Sequence, residues 1–278
     1  RGELQNAGAN RSMPAYLNNP EEERGRYQAP HDLDMTLLRF ERDGVAIGEL
    51  NWFAVHPTAM TYNNKLISGD HKGRASQLFE AEEGDGFVAA FAQANCGDIT
   101  PNTNLNNTGP GEDEFDTTNI MATRQYQKAR ELFDSASTEL EGPVDYRHTY
   151  VNFKWADVDA AWTGGDPAMT CPSAYGYSFA AGSTEDGGGH PMFREGMTAP
   201  NQMIDNLVKE QFGVDPPSED CKACHAEKAI LFATGEMEPP GYTQILPMTL
   251  ASIGQLVLVC VPAEFTTISG RRIQDTVQ

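Results

Sequence analysis

The chain has 278 residues and a mass of 30.4 kDa, with 40 acidic against 20 basic side chains, a formal charge of −20 and a pI near 4.5. Recognition of nucleic-acid phosphates rests on lysine and arginine, so this balance excludes a nucleic-acid partner. Hydrophobic content of 39% and charged content of 22% fit a folded chain long enough for a real core, as one large domain or two modest ones.

In chain order, residues 1–35 are polar and contain proline, and read as loop plus short helix. Met35 to Phe40 alternates apolar and polar residues, Asp43-Gly44 turns the chain, and Ile47 to Val55 follows as a second β-run. Two such runs around a DG pair predict a hairpin, which His56-Pro57 ends. Asp70 to Glu83 reads as a helix with Ala75, Leu78 and Phe79 on one face and Gly84 as its stop. Phe87 to Ala94 is short and apolar and reads as a buried strand, followed by the turn-rich loop Asn95-Cys96-Gly97-Asp98-Ile99-Thr100-Pro101-Asn102. Asp116 to Leu140 carries the strongest helical spacing in the chain.

Val144 to Trp155 predicts another strand. Residues 163–200 are rich in Gly, Pro, Ser and Thr, and so long a loop in a compact domain is usually functional or a lid. Asn201 to Phe212 reads as a short helix, and Ala229 to Thr234 and Ile245 to Val261 as further strands, the latter with a turn at Gly254. Strands and helices alternate without a strict βαβ rhythm, which predicts a mixed α/β fold, a sheet with flanking helices. No apolar run approaches the ~20 residues of a membrane span. The chain opens at Arg1 with no leader of the secretory type and closes at Gln278 just into what reads as a helix, so both ends read as cuts through a longer protein.

The residues with chemical potential stand mainly at strand ends. His56 ends the run Trp52 to Val55, and Glu264 follows the run Leu256 to Val261. Each has a structural reading, His56 as a hydrogen-bonded residue and Glu264 as an ion-pair partner of Arg271 or Arg272. A His nitrogen and a Glu oxygen also suit Zn²⁺, which takes three or four protein ligands. Thr100 lies in a turn after a buried strand, where its hydroxyl either acts in a site or caps an Asx-type turn.

Cys221-Lys222-Ala223-Cys224-His225 matches the attachment pattern of c-type haem. Cytochromes c are small and helical, however, and here the pattern precedes a strand in a large mixed chain, so no haem is expected. One of these two cysteines is better used in a disulfide to Cys171, which would tie down the Gly-rich segment in an exported protein. Asn10-Arg11-Ser12 and Asn106-Asn107-Thr108 formally match glycosylation sequons.

Several segments together resemble the neutral/alkaline ceramidases, the N-acylsphingosine amidohydrolases. They are Asn10-Arg11-Ser12 with Tyr16-Leu17 and Asn19-Pro20; Trp52 to Pro57 with Met60; Phe87 to Gln93; Gly97 to Asn102; Gly176 to Gly182; Cys224 to Lys228; and Pro262 to Thr267 with Gly270-Arg271-Arg272. They run collinearly through nearly the whole chain. The resemblance implies that residues 1–278 are an incomplete catalytic domain, without its N-terminal part, its C-terminal end and the immunoglobulin-like C-terminal domain of the family.

It further implies that His56 and Glu264 are zinc ligands, the family's other two, a His and a Tyr, having no match here. Arg11 then lies near the substrate carbonyl, binding substrate and assisting catalysis. Thr100 stands where the family has the Ser of its GDxSPN motif, a departure that favours a hydrogen-bonding role over a covalent one. Cys171 and Cys224 match a family disulfide, leaving Cys221 as an extra thiol. The expected activity is zinc-dependent cleavage of the ceramide amide to sphingosine and a fatty acid, at a membrane surface, in a secreted, periplasmic or cell-surface protein. Residues 1–278 alone are expected to be inactive. Alternatives are a zinc amidase for other N-acyl lipids and a non-catalytic lipid-binding family member. Tyr175, Tyr177, Phe179, Met192 and Phe193 are candidates for a lipid-facing rim, or else packed loop residues.

Overall fold

Asp43 and Gly44 both take positive φ, 53° and 75°, the twist of a two-residue hairpin turn, in a computed structural model that describes residues 1–183, 187–199 and 201–277. The expectations for the Gly-rich segment at residues 184–186 and 200, and for Gln278, lie outside the described residues. Contacts divide the chain into two compact units. One comprises Arg1–Thr138, Ser183–Gly188 and Glu264–Gln278, and the other Glu139–Gly182 and Gly189–Ala263.

The first unit is built on a four-stranded sheet. Strands β1 (Gly2–Glu3), β3 (Asp34–Arg42) and β4 (Val45–Phe53) are antiparallel neighbours, while β2 (Ala9–Asn10) lies outside this sheet. Helix α1 (Asp70–Glu83) carries the chain across to β5 (Val88–Gln93), which pairs parallel with β4. A short strand β6 (Ile99–Thr100) then pairs antiparallel with β2. The long helix α2 (Glu114–Ser135) packs on α1 and on β3. Met35, Phe53, Val55, Phe79, Phe87, Met121 and Phe133 form the core, with the rings of Phe79, Phe87 and Phe133 5.3 to 5.7 Å apart.

Helix α2 starts earlier and ends sooner than its periodicity suggests. The Asp113 carboxylate accepts the Asp116 N–H at 2.8 Å and caps the start. The buried stripe Met121, Gln125, Ala129, Leu132 and Phe133 stops at Phe133, and residues 136–140 have no apolar anchor to hold a further turn. The C-terminal helix, Thr267–Val277, closes the unit and approaches so near that a Cβ on Gly270 would lie 2.2 Å from the Asn95 side chain.

Glu49 is 2% exposed on β4, and both its oxygens accept from Asn51 Nδ2, at 3.1 and 3.0 Å. Burial pushes its pKa up to about 7, against the lowering effect of Asn51. The folded state therefore keeps a proton that the unfolded chain loses near pH 4.5, so stability falls as pH rises from about 4.5 to 7. Glu49→Gln is expected to raise stability at pH 8 by roughly 1–3 kcal/mol and to leave it nearly unchanged at pH 4. Urea unfolding at the two pH values checks this, and an equal gain at both would refute it.

In the second unit, β7 (Val144–Asn152) begins a three-stranded antiparallel sheet. Beyond it, β8 (Tyr175–Gly176), helix α3 (Gln202–Phe212) and β9 (Ile230–Phe232) border a small core of Tyr177, Ile204, Val208, Ala229 and Leu231, and helix α4 (Glu219–His225) buries Cys221 in a separate cluster with Ile230 and Ala233. Strands β10 (Ile245–Ile253) and β11 (Leu256–Cys260) complete the sheet in the order β11-β10-β7, turning at Gly254 as expected. The helix at 219–225 has no counterpart among the expected elements. Its start is set by Ser218, whose hydroxyl accepts the Cys221 N–H at 3.0 Å.

Cys171 and Cys224 are joined in a disulfide across a separation of 53 residues, a closure that contributes about 4 kcal/mol in the chain-entropy account. With Cys224 so engaged, the CxxCH pattern has no pair of free thiols to offer a haem. Cys221 is fully buried against Ile230, Ala233 and Ala174, and burial pushes its thiol up to about 11, the profile of an inert packing residue.

Candidate metal and catalytic site

Where β4 leaves the ladder after Phe53, its carbonyls need new partners, and side chains supply them. Lys72 Nζ donates to the carbonyls of Phe53 (3.0 Å) and Ala92 (2.9 Å). Gln93 Nε2 donates to Val55 O at 2.7 Å, and His71 Nε2 to His56 O at 2.8 Å. Burial depresses Lys72 to about 7 and His71 to about 4, so the His71 imidazole is neutral at pH 7.

This bracing delivers His56, buried at 7% exposure. Its main-chain N–H and its ring Nδ1–H both donate to Ile99 O, at 3.1 and 2.9 Å, which turns Nε2 toward Glu264 Oε2, 3.3 Å away. Burial pulls the His56 pKa down, but the adjacent Cys96 sulfur and the Ile99 carbonyl push it up to about 9. The Arg11 charge acts on it in the opposite sense. The Glu264 side chain is 74% exposed. The ion-pair reading of Glu264 fails: Arg271 Nε donates to Asp32 at 2.5 Å, and Arg272 is paired with Glu23.

The loop Gly97 to Asn102 holds the remaining pieces. Gly97 N–H donates to Phe265 O at 2.8 Å, and a Cβ on Gly97 would come within 2.5 Å of the Glu264 carbonyl. Only glycine allows this approach. Asp98 is 4% exposed and joins three segments. It accepts from Asn10 Nδ2 (2.8 Å) and from the N–H (2.7 Å) and hydroxyl (2.8 Å) of Thr267 at the start of the C-terminal helix. Arg11 follows from this pairing, its N–H donating to Asp98 O at 2.9 Å and Nη2 to Gly97 O at 3.3 Å.

Thr100 is completely buried, and its Oγ1 accepts the Asn102 N–H at 3.0 Å. That is the turn-capping geometry of a Ser/Thr turn. Asn102 Nδ2 in turn donates to Thr58 O at 3.2 Å. His56, Glu264, Arg11 and Thr100 are thus assembled within one unit from segments far apart in sequence.

The His56 Nδ1–H is fixed by a main-chain carbonyl, which leaves Nε2 as the ring nitrogen a metal would take in place of its proton, the outer-sphere arrangement of histidine ligands, and an exposed carboxylate faces it. The donor chemistry of His56 and Glu264 fits zinc. Among the described residues, no group of three or more His, Cys, Asp or Glu side chains could hold a metal ion, so this pair is a partial set. The rim expectation is corrected in part. Tyr177 is buried in the small core against which Met192 and Phe193 pack, whereas Phe179 is exposed and stacks on Tyr175 at 4.1 Å.

Asp70, His71, Lys72, Gln125 and Asp98 are buried polar residues to which sequence reading assigned no role. The model of the family described as neutral/alkaline non-lysosomal ceramidase, N-terminal, matches residues 1–278. The neutral ceramidase of Pseudomonas aeruginosa is 42% identical over 282 residues, with all of this chain and 41% of its own length covered. Neutral ceramidase B of Dictyostelium discoideum is 40% identical over 312 residues, covering all of this chain and 43% of its own. A solved ceramidase complexed with C2 matches with a TM-score of 0.84 at 41% identity, covering all of this chain and 43% of that one. The chain spans under half the length of these relatives.

Proposed function

The chain belongs to the neutral/alkaline non-lysosomal ceramidase family, and on that premise we propose that the protein hydrolyses the N-acyl amide of ceramide, with zinc held in part by His56 and Glu264. The observation that carries this reading is the 3.3 Å pairing of His56 Nε2 with Glu264 Oε2 in a chain matched by that family along its whole length. Zinc bound there would supply Lewis acidity for the amide carbonyl and lower the pKa of water toward ~7. Arg11 would offer a charged donor to the carbonyl oxygen as negative charge develops on it. Glu264, exposed and 3.3 Å from His56 Nε2, would supply the oxygen donor of that pair.

The burial of Thr100 and the engagement of its oxygen by Asn102 favour a hydrogen-bonding role over covalent attack. A nucleophile must reach the carbonyl carbon, and a fully buried, β-branched hydroxyl used as a turn acceptor is poorly placed for that. In the full-length protein, Thr100→Ser is expected to keep ceramide hydrolysis within about threefold, and Thr100→Val to lose about 10²-fold. Full activity in the Val variant would end any role for the hydroxyl.

Ceramide is an uncharged, two-tailed amide of membranes, so the protein would meet it at a lipid surface. No helix among the described residues is long and apolar enough to cross a membrane. The Cys171–Cys224 disulfide supports an oxidising location, secreted, periplasmic or at the cell surface. Zinc content and turnover of ceramide against other N-acyl lipids test the reading together. A zinc-containing protein that prefers another N-acyl lipid would be an amidase of different specificity, and one that turns over none would be a lipid-binding member.

A further inference from the structure

We infer that His71, held by Gln125 and Asp70, is the positioning residue that fixes His56 for metal binding. The inference rests on the reading of His56 as a ligand. Three consecutive residues at the start of α1 grip the chain around it. Asp70 accepts the N–H groups of Ala59 (3.2 Å), Met60 (2.8 Å) and His71 (2.7 Å). His71 takes the carbonyl of His56 itself, and Lys72 that of Phe53. Asp70 adopts a φ of +51°, a left-handed conformation that a residue with a Cβ rarely enters, and the grip on Ala59 and Met60 is what holds it there.

The direction of the His71 bond is settled by chemistry. A carbonyl can only accept, so His71 Nε2 carries the hydrogen, which leaves Nδ1 to accept from Gln125 Nε2 at 2.7 Å. His71 and Gln125 are both fully buried. Burying two polar side chains is unfavourable unless their bonds are needed, and packing alone would be served by an apolar side chain at either position. The bonds form one directed line, from Gln125 through His71 to the main chain of His56. That line and the Ile99 carbonyl hold the imidazole at two points, main chain and ring.

The test compares the protein with His71→Leu, His71→Gln and Gln125→Met, all labelled with ¹⁵N-histidine. The glutamine amide can give the same N–H to the His56 carbonyl, and Gln125→Met leaves His71 in place should the Leu variant fail to fold. The first readout is solvent exchange of the His56 ring Nδ1 proton in metal-free protein, and the second is zinc affinity by competition with a chromogenic chelator. Folding is verified by thermal unfolding. His71→Leu is expected to speed ring-proton exchange and weaken zinc binding at least tenfold each. Gln125→Met is expected to act in the same direction by at least threefold, and His71→Gln to stay within threefold of the parent. Unchanged exchange in a folded Leu or Met variant, or no rescue by glutamine, overturns the inference. A parent protein that binds no zinc overturns the metal reading instead, because the exchange readout does not depend on metal.

Discussion

Replacing His56 by alanine is expected to lower ceramide hydrolysis about 10³-fold or more and to remove most of the zinc, with the fold retained. The imidazole is the one buried donor of the pair, fixed at Nδ1 by Ile99 O, and alanine leaves that position with no side-chain donor atom. Its loss leaves Ile99 O with the His56 main-chain N–H as donor, a cost to stability of only about 1 kcal/mol. Glu264→Gln is expected to give a comparable loss of activity with still less effect on stability, because the side chain is 74% exposed. Zinc analysis, kcat/KM on ceramide and thermal unfolding of both variants decide the matter. Either variant within tenfold of the parent would remove its residue from the metal site.

Asp98→Ala is expected to be the most damaging single change to the fold of the first unit, at about 3–5 kcal/mol. The carboxylate accepts three hydrogen bonds while buried, and removing it orphans the Thr267 N–H and hydroxyl at the head of the C-terminal helix. Asp98→Asn keeps the size and one acceptor oxygen but turns an amide nitrogen toward a donor, and should fall between the parent and the alanine variant. Urea unfolding measures both. A loss under 1 kcal/mol for alanine would show that the three segments hold together without it.

The hairpin, α1 and the strand at 88–93 are legible in the sequence because each is specified by neighbours: a DG turn, an apolar stripe with a glycine stop, a short apolar run. The end of α2 is not, because it depends on where the sheet beneath it stops offering apolar surface. Helix α4 has a sequence mark, Ser218 followed by Glu219 and Asp220, but is too short for periodicity to register. His56, Glu264, Arg11 and Thr100 enter as candidates through the family resemblance. Asp70, His71, Gln125 and Asp98 are not. Their partners include main-chain groups of His56, Ala59, Met60 and Thr267, and a carbonyl or amide carries no letter in the sequence that could announce the pairing.

The unit that contains the site is discontinuous: its first 138 residues are completed by the stretch beginning at Glu264. During synthesis at 5–20 residues per second, the ribosome would need roughly 6 to 25 s to make the intervening chain. Throughout that interval Asp98 has no Thr267, Gly97 no Phe265 and His56 no Glu264. The nascent first unit must therefore wait with a solvent-open face, a window in which chaperones or slow translation have the most to act on. The last fifteen residues of this chain are thus a timing element as well as a structural one, setting when the histidine and the carboxylate can first meet.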